Sequence, residues 1–428
     1  MNVIVQKVND WAILALLASV LPIQNLCAEE TVETLATFTG PNGAYPGYIL
    51  QDHHGNFYGT TYTGGKFDKG TIFELPLNKP LQTIISFDGS NGANPISGLL
   101  EGPDGNFYGT TNSGGPDGKG IIFRLTTDGK LTTLVAFNGP NGAYPKSPLM
   151  LGRDGNFYGT AFSGGPTDKG LIFCVTPQGK LTPLVTFNGS NGTNPGVLSR
   201  GRDGCFYGTT YKGGEKDLGT AFKYDPDPQF TTLVSFNGDN GANPQAQMSQ
   251  LSDGDFYGTT YAGGKNQKGT IFSVTPDGKL TTRYAFNGSD GANPNSGLVQ
   301  WSDGYFYIER IWENQWIKAS TIQWNGVNFC GTTSAGGQHG NGTVFRVTSD
   351  GSLTTLVSFT GTSGKRLGTI PNSLIPGNDG NLYGTTYYGG RNNKGTVFRL
   401  LLQVWPPASA GRNATAAFSP QVQAVVSP

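Results

Sequence analysis

Histidine is nearly absent: the chain has 428 residues and only His53, His54 and His339. Catalysis needs a constellation of titratable and oriented groups, and a histidine pair plus one distant copy do not make one. His53-His54 fall in a turn where related segments carry an acidic residue. Neither spacing nor context is that of a zinc site, so they read as solvated turn residues. No Gly-x-Ser-x-Gly elbow, phosphate-binding loop or His-Glu-x-x-His motif occurs, so neither catalytic nor metal-ligating residues are assigned. Charge is scarce too, at 14% of residues with a formal net charge of +0. That leaves no electrostatic footprint for nucleic acid or an anionic membrane. Beyond the N-terminus no segment is apolar enough to span a membrane.

What is abundant is glycine: 66 of the 428 residues, about twice the usual share of roughly 7%. Each glycine inside a helix costs about 1 kcal/mol relative to alanine, which argues against a helical protein. Collagen needs glycine at every third position, and that period is missing. Aromatics make up 11%, whereas disordered chains are poor in them. Glycine-punctuated β-structure remains.

The stretch DGNFYGTT at Asp104–Thr111 recurs. Its glycine marks seven copies: Gly55, Gly105, Gly155, Gly204, Gly254, Gly304 and Gly380. The first five intervals are 50, 50, 49, 50 and 50 residues, and the last is 76. A double glycine also recurs seven times, from Gly64-Gly65 to Gly389-Gly390. Such repeats dominate any fold reading. Each copy reads as four short strands, in the second copy Ile96–Glu101, Asn106–Thr111, Gly120–Thr126 and Lys130–Phe137. Asp104-Gly105 and Asp128-Gly129 read as two-residue hairpin turns. Ile121-Ile122-Phe123 and Leu134-Val135-Ala136-Phe137 are apolar on both sheet faces, so both faces must be covered. The expected fold is all-β, a seven-bladed β-propeller of four-stranded blades, with a period nearer kelch than WD40 repeats. The seventh copy stops after its third strand, and Thr34–Phe38 matches the missing fourth. The N-terminal strand is thus expected to complete the last blade and close the ring, hiding sheet edges. An open stack with capped ends is the rival.

DGNFYGTT, the Gly64–Phe73 run, LTTLVSF and NG-x-N-G-A-N-P resemble the GloVer-type tandem repeat of bacterial secreted or surface proteins described as "choice-of-anchor". The resemblance covers Thr31 to Leu402. It implies export and a propeller-like repeat domain, and it supplies no catalytic residues. Pro406–Pro428 is a Pro/Ala/Ser-rich tail without an apolar span or basic terminus, and it reads as a flexible linker or extension.

Domain organisation follows. Residues 1–28 read as a signal peptide: Lys7, an apolar Trp11–Leu21 and a cleavage site at Leu26-Cys27-Ala28. The alternative is an N-terminal helix of the folded domain. Residues 31–402 form the propeller, with an insertion at 305–327, and 403–428 the tail. Cleavage leaves Cys174, Cys205 and Cys330, an odd count that is no disulfide framework. They read as incidental thiols, with a Cys174–Cys205 bridge as the alternative.

Meander topology puts the double-glycine loops and the Asn-Gly-rich loops on one face. Tyr62, Phe162, Tyr211, Tyr261 and Tyr387 (or Tyr388 beside it) precede the double glycines, and Lys69, Lys119, Lys169, Lys268 and Lys394 precede the next glycine. Two readings stand: a face that stacks sugars or holds an anionic polymer, or aromatics packed under loops with solvated lysines. The insertion holds Trp312, Trp316 and Trp324, either a contact site or the core of an enlarged sixth blade. The recurring Asp104, Asp154, Asp203, Asp253, Asp303 and Asp379 each precede a turn glycine and read as turn residues. Loops such as Asn237–Gly241 offer oxygens but lack the acidic density of a calcium site, so no cofactor is expected, with calcium as the alternative. The functional expectation is a monomeric, secreted, periplasmic or cell-surface binding module, its partner a glycan or another surface protein. An extracellular polysaccharide lyase or hydrolase and a structural envelope protein are the alternatives.

Overall fold

The computed structural model describes residues 31–77, 79–227, 229–301, 328–348 and 351–402. They form seven antiparallel blades and, among the described residues, no helix. Blade 3 is representative. Met150–Leu151 pairs with Phe157–Ala161, which pairs with Leu171–Val175, which pairs with Leu181–Thr186. The last two strands slip register between Ile172 and Phe173. The same slip occurs in blades 1, 2, 4, 5 and 6, and such bulges increase strand twist. The bulge also breaks strict alternation, which accounts for apolar neighbours such as Leu134-Val135.

Blade 7 settles the question of closure. Its strands Thr369–Pro376, Leu382–Tyr388 and Thr396–Leu401 are completed by Thr31–Thr37, with Thr31 opposite Leu401 and Thr37 opposite Thr396. Blade 7 then meets blade 1. Thr385 Oγ1 donates to Gly47 O at 2.7 Å, Asn372 Nδ2 donates to Pro46 O at 3.0 Å, and the Tyr383 and Phe57 rings lie 4.4 Å apart. The ring is closed, and the open stack is excluded.

Two circles of aromatic pairs join the blades. In one, a phenylalanine after each outermost strand touches a third-strand phenylalanine of the next blade, from Phe38–Phe73 at 5.1 Å through Phe187–Phe222 at 5.5 Å to Phe359–Phe398 at 5.2 Å. All seven residues of the first set are fully buried. In the other, the FYG tyrosine meets the FYG phenylalanine of the next blade, as in Tyr108–Phe157 at 4.2 Å. Blade 6 breaks this second circle, because Cys330 replaces the tyrosine and packs near Leu382. Aromatic pairs add about 0.5–1.5 kcal/mol each beyond the area they bury.

Two local expectations need correction. The innermost strand of blade 2 is ordered only over Leu100–Glu101, not from Ile96. Pro95 has no N–H for the ladder, and Ser97 Oγ bonds Thr110 instead, at 2.8 Å from its hydroxyl. Blades 4, 5 and 6 likewise split their inner strands. The Asp104-Gly105 and Asp128-Gly129 turns are three-residue loops, not two: Gly102 N donates to Asn106 O and Gly105 N to Gly102 O, and likewise Thr126 N to Lys130 O and Gly129 N to Thr126 O. Gly105 takes φ +72, the left-handed residue that ends this loop class. The tryptophan hairpin expected within 305–327 lies outside the described residues. Its blade nevertheless resumes, with Asn328–Ala335 pairing to Val299–Trp301.

Candidate functional site

The double-glycine and Asn-Gly loops do share a face. Gly65 N donates to Gly40 O, Gly115 N to Gly89 O and Gly165 N to Gly139 O, and Gly214, Gly264 and Gly337 repeat the bond in blades 4, 5 and 6. Each blade also clamps the next here. Asn94 donates its N–H to Lys69 O at 2.7 Å and its Nδ2 to Tyr62 O at 2.9 Å. Asn194, Asn243 and Asn293 repeat the side-chain bond to Phe162 O, Tyr211 O and Tyr261 O at 2.8, 3.0 and 2.9 Å. The glycine after each lysine position lets the next blade's proline approach. A Cβ on Gly170 would sit 2.5 Å from Pro195 Cδ.

The predicted residues therefore occupy one face, with their main chains serving the blade boundaries. Tyr62, Phe162, Tyr211, Tyr261 and Tyr387 have half-buried side chains. Lys69 and Lys268 are exposed, and Lys119, Lys169 and Lys394 are half-buried. Lys119 turns away from the aromatics and donates to Asn138 O of its own blade's loop at 3.2 Å. Lys169 folds over Gly189 in the same manner. Only Lys394 is brought to an aromatic: its Nζ is 3.5 Å from Tyr45 Oη and 5.3 Å from that ring's centre. The ammonium of Lys146, not anticipated, lies 3.6 Å from the centre of the Phe162 ring. Loss of hydration there lowers its pKa.

At the junction of blades 7 and 1 the aromatics gather. Tyr45 stacks on Tyr387 at 5.2 Å and meets the edge of Tyr388 at 5.0 Å, and Tyr387 and Tyr388 touch at 4.9 Å. Burial first, then the neighbouring Tyr388, Tyr62 and Tyr45 hydroxyls, pushes Tyr387 up to about 12. It stays a neutral hydrogen-bonding group at ordinary pH. Sequence reasoning missed Tyr45, although a signal was visible: it stands where four sister copies have asparagine.

Other candidates are spoken for. Asp154 accepts from Asn156 N, Asn156 Nδ2 and Tyr158 Oη at 3.2, 2.6 and 2.9 Å. Asp104 and Asp379 repeat this set, and Asp203 and Asp253 keep its tyrosine bond. In blade 1, Asp52 does the turn's work from two residues earlier, accepting from His54 N and Asn56 N. His53 and His54 are exposed, with His53 Nδ1 3.6 Å from Glu101. In the Asn237–Gly241 loop, Asn237 and Asn240 turn their oxygens onto each other's main-chain N–H. Among the described residues no group of three His, Cys, Asp or Glu side chains is placed to hold a metal. No disulfide joins Cys174, Cys205 or Cys330, so the Cys174–Cys205 bridge does not form. Trp312, Trp316 and Trp324 lie outside the described residues.

The Gloeobacter/Verrucomicrobia repeat family model matches residues 24–199, 179–309 and 313–416. A search of curated proteins finds no match. Among solved structures, virginiamycin B lyase from Staphylococcus aureus is similar with TM-score 0.56 at 12% identity, covering 87% of this chain and 100% of that one. The extracellular domain of a protein described as a hybrid two-component system from B. thetaiotaomicron has TM-score 0.55 at 13% identity, over 86% of this chain and 39% of that one. The WD40 β-propeller domain of Doa1 has TM-score 0.53 at 11% identity, over 86% and 97%. At these identities the likeness shows the fold alone.

Proposed function

This chain belongs to the Gloeobacter/Verrucomicrobia repeat family, and we propose that its propeller is a non-enzymatic binding module, secreted or at the cell surface, that takes glycans on its double-glycine face. One observation carries the reading. A half-buried aromatic recurs at one position in five blades, on a loop face whose main chain is tied down by cross-blade hydrogen bonds. Rings held in place lose little freedom on binding, and preorganisation of that kind raises affinity. Tyrosine also offers an apolar ring with a hydroxyl at its tip, which suits a sugar's apolar face and its hydroxyls. The leader-like Met1–Ala28 supports export. The extracellular domain among the structural neighbours is in keeping with that location.

A glycan array tests this with the wild type and two double variants, Tyr62→Ala with Tyr387→Ala and Tyr211→Ala with Tyr261→Ala. Binding by the wild type that either double variant loses supports the face. Array-wide silence of the wild type, or binding unchanged in both variants, overturns the proposal.

A further inference from the structure

We infer that the ligand is an acidic polysaccharide, a chain of uronate sugars, held on the arc where blades 6, 7 and 1 meet. This rests on the glycan reading above and narrows it. Three features coincide on that arc.

The first is charge. The loops of the arc, residues 359–371, 389–395, 38–46 and 64–70, carry six cations and one acid. The cations are Lys365, Arg366, Arg391, Lys394, Lys66 and Lys69. The acid, Asp68, already accepts from Gly64 N at 2.8 Å. The corresponding loops of the rest of the face carry five cations and seven acids. A neutral protein thus concentrates positive charge on one sector, and such a sector attracts anions at short range.

The second is strain accepted at Tyr45. The equivalent Asn94, Asn194, Asn243 and Asn293 also have positive φ, which asparagine tolerates. Tyr45 takes φ +60, and a bulky residue there is an outlier that costs energy. It also gives up the asparagine Nδ2 bond that joins other blades. In exchange it places a ring against Tyr387 and Tyr388, with Tyr388 36% exposed. Tyr144 and Ile370 make the same departure at φ +53 and +52, so what sets Tyr45 apart is the ring cluster its strain holds together.

The third is shape. A shallow, open concavity of about 490 Å³ lies between Gly40 and Pro41 of the loop that ends blade 7 and Gly64, Gly65, Asp68, Thr83 and Ser86 of blade 1. Lys66 lines it. Tyrosine faces, six ammonium and guanidinium groups on the surrounding loops and a concavity beside one of them, Lys66, fit a polymer with a carboxylate on each sugar. A neutral glycan brings no countercharge to this sector. A nucleic acid is disfavoured by the overall charge of +0.

Octagalacturonate, maltooctaose and oligodeoxythymidylate, titrated by calorimetry at two salt concentrations, supply the test. The wild type is expected to bind the galacturonate, with affinity falling as salt rises. Tyr45→Asn and Tyr388→Ala install residues found in sister blades, so both should fold, and each is expected to weaken binding about tenfold. Tyr45→Asn is expected to keep or raise the thermal midpoint, which separates loss of ligand from loss of fold. Lys66→Ser with Lys394→Ser is expected to weaken binding and flatten the salt dependence. Tyr211→Ala with Tyr261→Ala is expected to change neither. Loss confined to Tyr211→Ala with Tyr261→Ala overturns the arc but leaves the glycan reading. Preference for maltooctaose overturns the acidic ligand, and preference for oligodeoxythymidylate overturns a sugar. Silence with every sugar on this titration and on the array overturns both proposals.

Discussion

Replacing Phe38 by alanine probes ring closure directly. Phe38 follows the N-terminal strand, yet it is 0% exposed, and its ring lies 5.1 Å from Phe73 of blade 1. Its N–H donates to Gly395 O at 3.1 Å, near the other end of the propeller. Phe187 is its internal counterpart: 0% exposed, 5.5 Å from Phe222, its N–H on Gly170 O at 3.1 Å. Truncating a fully buried phenylalanine costs about 3–5 kcal/mol through lost transfer energy and the cavity left behind. If the N-terminal strand closes the ring as tightly as the chain joins internal blades, Phe38→Ala and Phe187→Ala must cost the same within about 1 kcal/mol. Urea unfolding monitored by fluorescence measures this, with equal slopes confirming a comparable transition. A loss below about 1 kcal/mol for Phe38→Ala, beside a full loss for Phe187→Ala, would refute closure by this strand.

Other perturbations test the loop geometry and the turns. Gly170→Ala meets Pro195 Cδ at 2.5 Å and Ala161 O at 2.6 Å, at φ +95. It is expected to cost more than about 2 kcal/mol in urea unfolding, and a neutral outcome contradicts the proposed blade contact. Burial alone would raise the carboxyls of Asp104, Asp154, Asp203 and Asp379, but the hydrogen bonds they accept win, and each lies below the ordinary aspartate value. Carboxyls acidified by folding stabilise above their unfolded value of about 4 and lose that contribution as pH falls through the folded value. The urea midpoint should therefore drop on going from about pH 5 to about pH 3, and a rise over that range contradicts the assignment. Burial, then Asp203, pushes the Cys205 thiol up to about 11. At about pH 8 Cys205 should therefore resist iodoacetamide in the folded protein and react in urea, as peptide mass mapping would show.

Much of the fold was legible because identical signals recur in register. Turn glycines, FYG strands and the unpaired fourth strand at Thr34–Phe38 determine blade count and closure without any knowledge of contacts. What stayed hidden depends on side chains that act across a boundary. Nothing local in Asn94 says that its amide will reach Tyr62 O in the preceding blade, or that Gly170 is empty to admit Pro195. The inner strands were over-extended because the proline that interrupts their ladder sits inside an otherwise strand-like run. The aromatic positions are legible in the repeat, but what each lysine beside them does is not: Lys69 and Lys268 are exposed, Lys119 caps its own loop, and Lys394 alone of the five meets a tyrosine.

That contrast shows where function is written in a repeat protein. Whatever every blade shares is needed by every boundary, so the common residues report the fold: the clamp asparagines, the buried phenylalanines and the turn aspartates. Which sector a ligand occupies is set by residues that differ between copies. Tyr144 is the instructive comparison. Like Tyr45 it replaces the asparagine at positive φ, and it is 39% exposed. Its neighbours in blade 2, however, are Asn112 and Ser113 rather than two tyrosines, and the double-glycine loop there carries one aspartate and one lysine. The substitution alone therefore does not make a site. It becomes one where the adjoining blade supplies Tyr387 and Tyr388 and the loops supply unbalanced positive charge. Tyr144→Asn should accordingly leave uronate binding intact while Tyr45→Asn abolishes most of it. Equal losses in calorimetric titration would show that the tyrosine at positive φ, and not the sector around it, is what the ligand needs.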